Sequence, residues 1–199
     1  VLVSPLSIDG KTIFSAFLHD ITERKQVEAI REHEATHDPL TGLLNRRGMF
    51  DLLSQAIARV KRTRASLALL FIDLDGFKQI NDTHGHEAGD AVLREVAARL
   101  QASIRQTDTA ARLGGDEFTV ILENIKHGIS DANMLAQKIL ETLQHPIQLD
   151  SVTATISASI GISMHHPYDE RSADQLVNAA DSAMYTAKHA GKNQVCVHK

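Results

Sequence analysis

Arg112-Leu113-Gly114-Gly115-Asp116-Glu117-Phe118-Thr119-Val120-Ile121-Leu122 decides the fold of this chain. Two adjacent glycines make a bare backbone turn, and the apolar run from Phe118 to Leu122 resumes a strand, so the stretch reads as a tight antiparallel hairpin. With no Cβ in the way, a phosphate can approach such a turn closely. Asp116 and Glu117 stand at its tip, where carboxylates suit a hard, oxygen-seeking cation such as Mg²⁺. A plain Gly-Gly hairpin with solvated acids accounts for the stretch equally well at this point.

Upstream, Leu67-Ala68-Leu69-Leu70-Phe71-Ile72 is a continuous apolar run, as expected of a strand buried on both faces. It gives way to Asp73-Leu74-Asp75-Gly76-Phe77, which places Asp73 just past a buried strand end. Ligand chemistry collects at that position in α/β sheets, and an unpaired charge is costly there. A turn or a helix N-cap is the structural alternative for Asp73, and the stronger reading for Asp75.

Helical spacing recurs along the rest of the chain. Met49, Phe50, Leu52, Leu53, Ala56, Ile57 and Val60 define a first amphipathic helix. Leu93, Val96, Ala97, Leu100 and Ile104 define a second, with Asp90 as its expected N-cap. Leu135, Ile139, Leu140 and Leu143 mark a third, ended by Pro146. Residues 152–164 alternate apolar with polar or small, which predicts a strand buried on one side. Ser172 and Gln175 form a capping-box candidate for a last helix through Leu176, Val177, Ala180 and Met184. Helices mixed with an antiparallel hairpin predict the α+β class, a central, mainly antiparallel sheet flanked by helices.

Composition narrows the function classes. The chain has 199 residues, 43% of them hydrophobic, enough for one full domain with a core and a short appendage. A net charge of −4 argues against a general nucleic-acid surface. No apolar run reaches the length of a membrane span. The single cysteine, Cys196, cannot form an intrachain disulfide and fits a reducing, cytoplasmic setting. His84, His86, His165 and His166 lack the clustered partners of a zinc site. Gly191-Lys192 lacks the earlier glycine of a phosphate-binding P-loop, so metal, turn backbone and lysines must hold any nucleotide.

The chain opens on Val1, which points to a piece of a longer protein. Residues 1–19 read as two strands, with a hairpin turn near Ile8 to Lys11. Asp20-Ile21-Thr22-Glu23-Arg24-Lys25 resembles the exit of PAS sensor domains, so residues 1–21 are expected to be a PAS remnant. Residues 22–37 read as a charged connecting helix, and residues 38–199 as the catalytic domain.

Six blocks together resemble the GGDEF diguanylate cyclase family: Asp38 to Arg47, Phe71 to Asp82, Gly85 to Asp90, Arg112 to Phe118, Ala180 to Tyr185, and Lys188 to Asn193. The resemblance implies a fold similar to nucleotide cyclases and polymerase palms. It implies that two GTP molecules are joined into cyclic di-GMP, with release of two pyrophosphates. Asp73, Asp116 and the Leu74 carbonyl match the metal ligands, for Mg²⁺ with Mn²⁺ as a substitute. Asp116 also matches the proton acceptor, with Glu117 beside it. Asn81, His86, Asp90, Gly114, Gly115, Lys188 and Lys192 match substrate-binding positions. Asp90 would read the N1–H and N2–H donors of guanine and so favour GTP over ATP. Arginine is usual where this chain has Lys192, and both lysines are also placed to complement a helix dipole.

Arg105-Gln106-Thr107-Asp108 is similar to the family's inhibitory product-binding motif; the structural alternative is an i,i+3 ion pair. The resemblance further implies a homodimer, since each domain holds one GTP. It leaves room for a membrane-tethered parent protein. The rival reading is a catalytically silent domain that binds GTP or cyclic di-GMP and regulates a neighbour.

Overall fold

The computed structural model describes residues 2–8, 11–17, 33–149 and 153–198. Contacts divide the chain into two units, Val1–Ala35 and Thr36–Lys199. In the first, β1 (Leu2–Ile8) and β2 (Lys11–Phe17) pair antiparallel, with Leu2 opposite Phe17 and Ile8 opposite Lys11. The expected hairpin is therefore present, though two strands carry no signature of a particular sensor fold. Most of the helix expected over residues 22–37 lies outside the described residues; residues 33–36 are helical, and His37 has already left the helix to bridge Leu44.

The second unit is built on a five-stranded sheet. Its strands are β3 (Ser66–Asp75), β4 (Thr109–Gly114), β5 (Glu117–Ile125), β8 (Ser157–His165) and β9 (Gln194–Val197), in the order β4-β5-β3-β8-β9. Three of the four pairings are antiparallel and only β8–β9 is parallel. A small separate ladder joins β6 (Ile147–Gln148) to β7 (Thr153–Ala154). The helices are α1 (Arg46–Thr63), α2 (Phe77–His84), α3 (His86–Ser103), α4 (Ile129–Leu143) and α5 (Ala173–His189). This is the α+β architecture read from the sequence.

Strand alternation sorts the core into two halves. From β3, Leu67, Leu69 and Phe71 pack with Met49 and Leu53 of α1 and with Leu176, Ala180 and Met184 of α5. Ala68, Leu70, Ile72 and Leu74 face the other way, against Val92, Val96 and Leu100 of α3 and Ile139 and Leu143 of α4. Leu69 is fully buried, and truncating such a leucine to alanine costs about 2–5 kcal/mol. Asp73 continues the Leu67-Leu69-Phe71 row, so it stands on the α1 and α5 side of the sheet.

Several boundaries differ from the sequence reading. β3 runs two residues beyond Asp73, which pairs with Glu117 on one side and Ser159 on the other, so the acid lies within the strand. Asp75 neither turns the chain nor caps a helix; Gly76 precedes α2 instead. α3 begins at His86, placing Asp90 inside the helix and not at its N-cap. The strand expected over residues 152–164 is split, and β8 is buried on both faces. Small residues explain the second face. A Cβ on Gly161 would lie 2.0 Å from the Ala180 carbonyl oxygen and 2.2 Å from the Met184 nitrogen, so α5 rests directly on the strand backbone. The capping box of α5 is present, with Ser172 and Gln175 each bonding the other's backbone nitrogen.

Candidate active site

The β4–β5 hairpin turns at Gly115-Asp116, with Gly114 opposite Glu117. Gly114 (φ 140°) and Gly115 (φ 53°) both occupy backbone conformations that a side chain disfavours, so the turn itself demands glycine. No atom lies within 4 Å of a Cβ built on either, which leaves the turn's outer face open to a ligand. The turn leans on β3, where the Leu74 nitrogen donates to the Asp116 carbonyl oxygen at 3.3 Å. Asp73, Leu74 and Asp116 thereby line one open cleft of about 820 Å³, together with Lys188 and Lys192.

Asp73 is buried, and burial pushes its carboxyl above the ordinary carboxylate range. A hydrogen bond from Lys188 pulls it back, while the charges of Asp116 and Glu117 push it up again, and the net direction is up. Lys188 Nζ stands 2.7 Å from Asp73 Oδ2. This ammonium leaves the last turn of α5, where it also complements the helix dipole. Glu117, half exposed, has Arg46 Nη2 at 3.5 Å.

Lys192 lies beyond the helix, in a left-handed turn with φ of 62°. The turn is fixed from two directions. Lys192 N donates to the Ala187 carbonyl oxygen at 3.1 Å. Asn193 N donates to Asp75 Oδ2 at 3.0 Å, and Asp75 also accepts from Ser157 Oγ at 3.1 Å and Ser159 Oγ at 2.8 Å. Asp75 is thus the anchor that holds the Lys192 turn against the sheet.

Asn81, His86 and Asp90 do not line the cleft itself. They sit on α2 and α3, and Phe77, Lys78, Gln79 and Asp82 of α2 form part of the cleft wall. His86 and Asp90 are one helical turn apart. Asn81 is seated by a glycine, because a Cβ on Gly89 would lie 1.9 Å from Asn81 Oδ1.

Arg105 and Asp108 line a separate cavity of about 310 Å³, with Leu122, Met134 and Lys138. Their alternative reading as an ion pair is not met: no salt bridge joins them among the described residues. Asp108 Oδ2 instead accepts from the Arg105 backbone nitrogen at 3.1 Å, which leaves the Arg105 side chain outside the turn's own bonding.

The sequence reading missed the clamp behind the hairpin. Arg112 Nε and Nη2 donate to the Gly115 carbonyl oxygen at 3.0 and 2.8 Å, and Nη1 reaches both oxygens of Asp38 at 3.1 Å. Burial alone would raise the Asp38 carboxyl, but hydrogen bonds from Thr41 and Arg112 outweigh it and hold the group below its usual value. Both residues lie in the quoted sequence blocks, yet opposite charge was the only signal that they meet.

The donor set fits a hard cation. Among the described residues no group of three or more His, Cys, Asp or Glu side chains converges as a metal cage. Mg²⁺ needs none, since one or two carboxylates, a carbonyl and substrate phosphates suffice. No helix among the described residues is long and apolar enough to cross a membrane.

The profile of a family described as "Diguanylate cyclase, GGDEF domain" matches residues 35–194. The chain is 46% identical over 162 residues to the bifunctional diguanylate cyclase/cyclic di-GMP phosphodiesterase MucR of Pseudomonas aeruginosa, covering 81% of this chain and 23% of that protein. It is 44% identical over 161 residues to the diguanylate cyclase TpbB of the same species, covering 80% of this chain and 37% of TpbB. The chain therefore spans well under half the length of these relatives. Among solved structures, the isolated GGDEF domain of TpbB superposes with a TM-score of 0.78 at 41% identity, covering 82% of this chain and 94% of that one. The coiled coil and GGDEF domain of DgcB from Caulobacter crescentus, in complex with c-di-GMP, superposes with a TM-score of 0.80 at 30% identity, covering 88% and 91%.

Proposed function

The chain belongs to the GGDEF-domain diguanylate cyclase family, and on that premise we propose that it condenses two GTP molecules into cyclic di-GMP with release of two pyrophosphates. One observation carries the reading: Asp73 and Asp116 open onto the same cleft as Lys188 and Lys192, beside a glycine turn with a free outer face. Carboxylates and ammonium groups brought together in this way suit a triphosphate and its counter-ion.

The triphosphate lies along the cleft, with Lys188 and Lys192 neutralising its oxygens and the Gly114-Gly115 backbone against it. A 3′-hydroxyl oxygen attacks the α-phosphorus, the bond to the bridging α–β oxygen breaks, and pyrophosphate carries that electron pair away. Asp116 accepts the hydroxyl proton, and Glu117 lies beside it. Asp73, Asp116 and the Leu74 carbonyl would hold Mg²⁺ or Mn²⁺, which when bound neutralises phosphate charge and acidifies the hydroxyl. Asn81, His86 and Asp90 bind the guanine end, with the Asp90 carboxylate accepting from N1–H and N2–H.

Each domain presents one such cleft, so the product requires two copies facing each other, and the working state is a homodimer. Residues 1–21, read as a PAS remnant, and the linker at 22–37 transmit input to that pairing. Cyclic di-GMP returns to Arg105 and Asp108, where the guanidinium can grip guanine O6 and N7 and so limit turnover.

Purified protein incubated with GTP and Mg²⁺ should form cyclic di-GMP and pyrophosphate, ATP should not replace GTP, and Asp116→Asn should abolish turnover. An inert wild-type protein that still binds GTP would overturn the catalytic reading. Arg105→Ala should remove inhibition by added cyclic di-GMP; unchanged inhibition would overturn the feedback reading.

A further inference from the structure

The shortest ion pair in the cleft is an obstacle to the chemistry assigned there. Asp73 is buried, with its side chain only 9% exposed, and the Lys188 ammonium rests on its Oδ2 at 2.7 Å. A divalent cation placed on the same carboxylate would stand within a few ångströms of that ammonium. In a poorly solvated position such like charges repel strongly. Departure of one of the two relieves that repulsion. Lys188 can, because its side chain is one-third exposed and lines the cleft through which the ligand enters.

We propose that Lys188 is the resident counter-ion of Asp73 and that metal and nucleotide bind by exchange, the metal taking the carboxylate and the freed ammonium moving to the triphosphate. The inference rests on the metal and triphosphate reading above and deepens it. Metal alone must evict a paired ammonium and leave it without an anion. The metal–nucleotide complex supplies a new anion in the same step. The site therefore binds free metal weakly and the complex strongly, with the coupling built into one side chain. Lys192 is the natural comparison, since it lines the same cleft with no ion pair to Asp73.

The test measures free Mn²⁺ by electron paramagnetic resonance during titration of the full chain, with and without a non-hydrolysable GTP analogue whose own Mn²⁺ binding, measured without protein, is subtracted. In the wild type, the analogue should tighten Mn²⁺ binding by about tenfold or more, within the usual range of coupling between sites. Lys188→Met should bind Mn²⁺ about fivefold more tightly without nucleotide, and the analogue should then tighten binding by a smaller factor than in the wild type. Lys188→Arg, which keeps a cation on Asp73, should remain weak without nucleotide and keeps the test decisive if the methionine variant folds poorly. Lys192→Met should shift free Mn²⁺ binding less than Lys188→Met does. The exchange is overturned if Lys188→Met leaves nucleotide-free binding unchanged, weakens it, or tightens it no more than Lys192→Met. Wild-type Mn²⁺ binding that Asp73→Asn does not diminish would instead remove the metal site on which the exchange stands.

Discussion

Arg112 and Asp38, 74 positions apart, are joined by contacts of 3.1 Å from one guanidinium nitrogen to both carboxylate oxygens. The other two nitrogens of Arg112 hold the Gly115 carbonyl, so the pair fixes the hairpin that presents Asp116. Both side chains are largely buried, and breaking such a pair from one side costs about 3–5 kcal/mol. Arg112→Ala should lose stability of that order in urea unfolding. Arg112→Lys should fold but lose roughly tenfold in turnover, because an ammonium cannot hold carbonyl and carboxylate in one plane.

Asp73→Asn should trade activity for stability. A carboxyl whose folded pKa lies above its unfolded value binds more protons folded than unfolded, so its contribution to stability falls as pH rises from about 4 upward. At pH 7 without metal, the asparagine variant should melt at a higher temperature than wild type, while turnover falls by roughly a hundredfold or more. The stability gain should shrink as the pH is lowered toward 4. An equal or lower melting temperature at pH 7 would contradict this account of the buried charge.

The sign reverses at Asp169, whose carboxyl is held down to about 2, chiefly by hydrogen bonds from Arg171. The stability it contributes is complete above about pH 4 and is lost as pH falls from there toward 2. Asp169→Asn should cost about 2 kcal/mol at pH 7 and flatten that part of the acid unfolding curve. Asp169 and Arg171 lie outside the cleft, so the Michaelis constant for GTP should not move.

Gly89→Ala tests the proposed seat of the guanine end. The new methyl would occupy the place of Asn81 Oδ1, and alanine favours the helix on its own account. Circular dichroism should show an intact fold, while the Michaelis constant for GTP rises roughly tenfold with the loss of a hydrogen-bonding partner. Wild-type kinetics would mean that Asn81 takes no part in binding.

What the sequence disclosed and what it hid follow physical lines. The hairpin was legible because paired glycines and a β-rich run are local signals, and the capping box of α5 for the same reason. α2 escaped notice because it is short and its apolar face is only Phe77 and Ile80, both partly buried against the core. The true start of α3 was hidden behind Gly85, which offers no side chain to cap it. β8 looked half-exposed because Ser159, Gly161 and Ser163 are small, yet smallness is what lets α5 settle on the strand. The Arg112–Asp38 clamp and the Asp75 anchor join residues distant in sequence, and periodicity within one segment is blind to such pairs.

The anchor at Asp75 bears on how the domain can be controlled. One carboxylate fastens the end of β3 to β8 and to the turn bearing Lys192, so floor and flank of the cleft travel as a single piece. An upstream signal cannot easily pry that lysine away from the acids without tearing several bonds at once. Under the proposed homodimer, switching would then be geographic: whole domains carried toward or away from one another, each arriving with its half of the machinery already set.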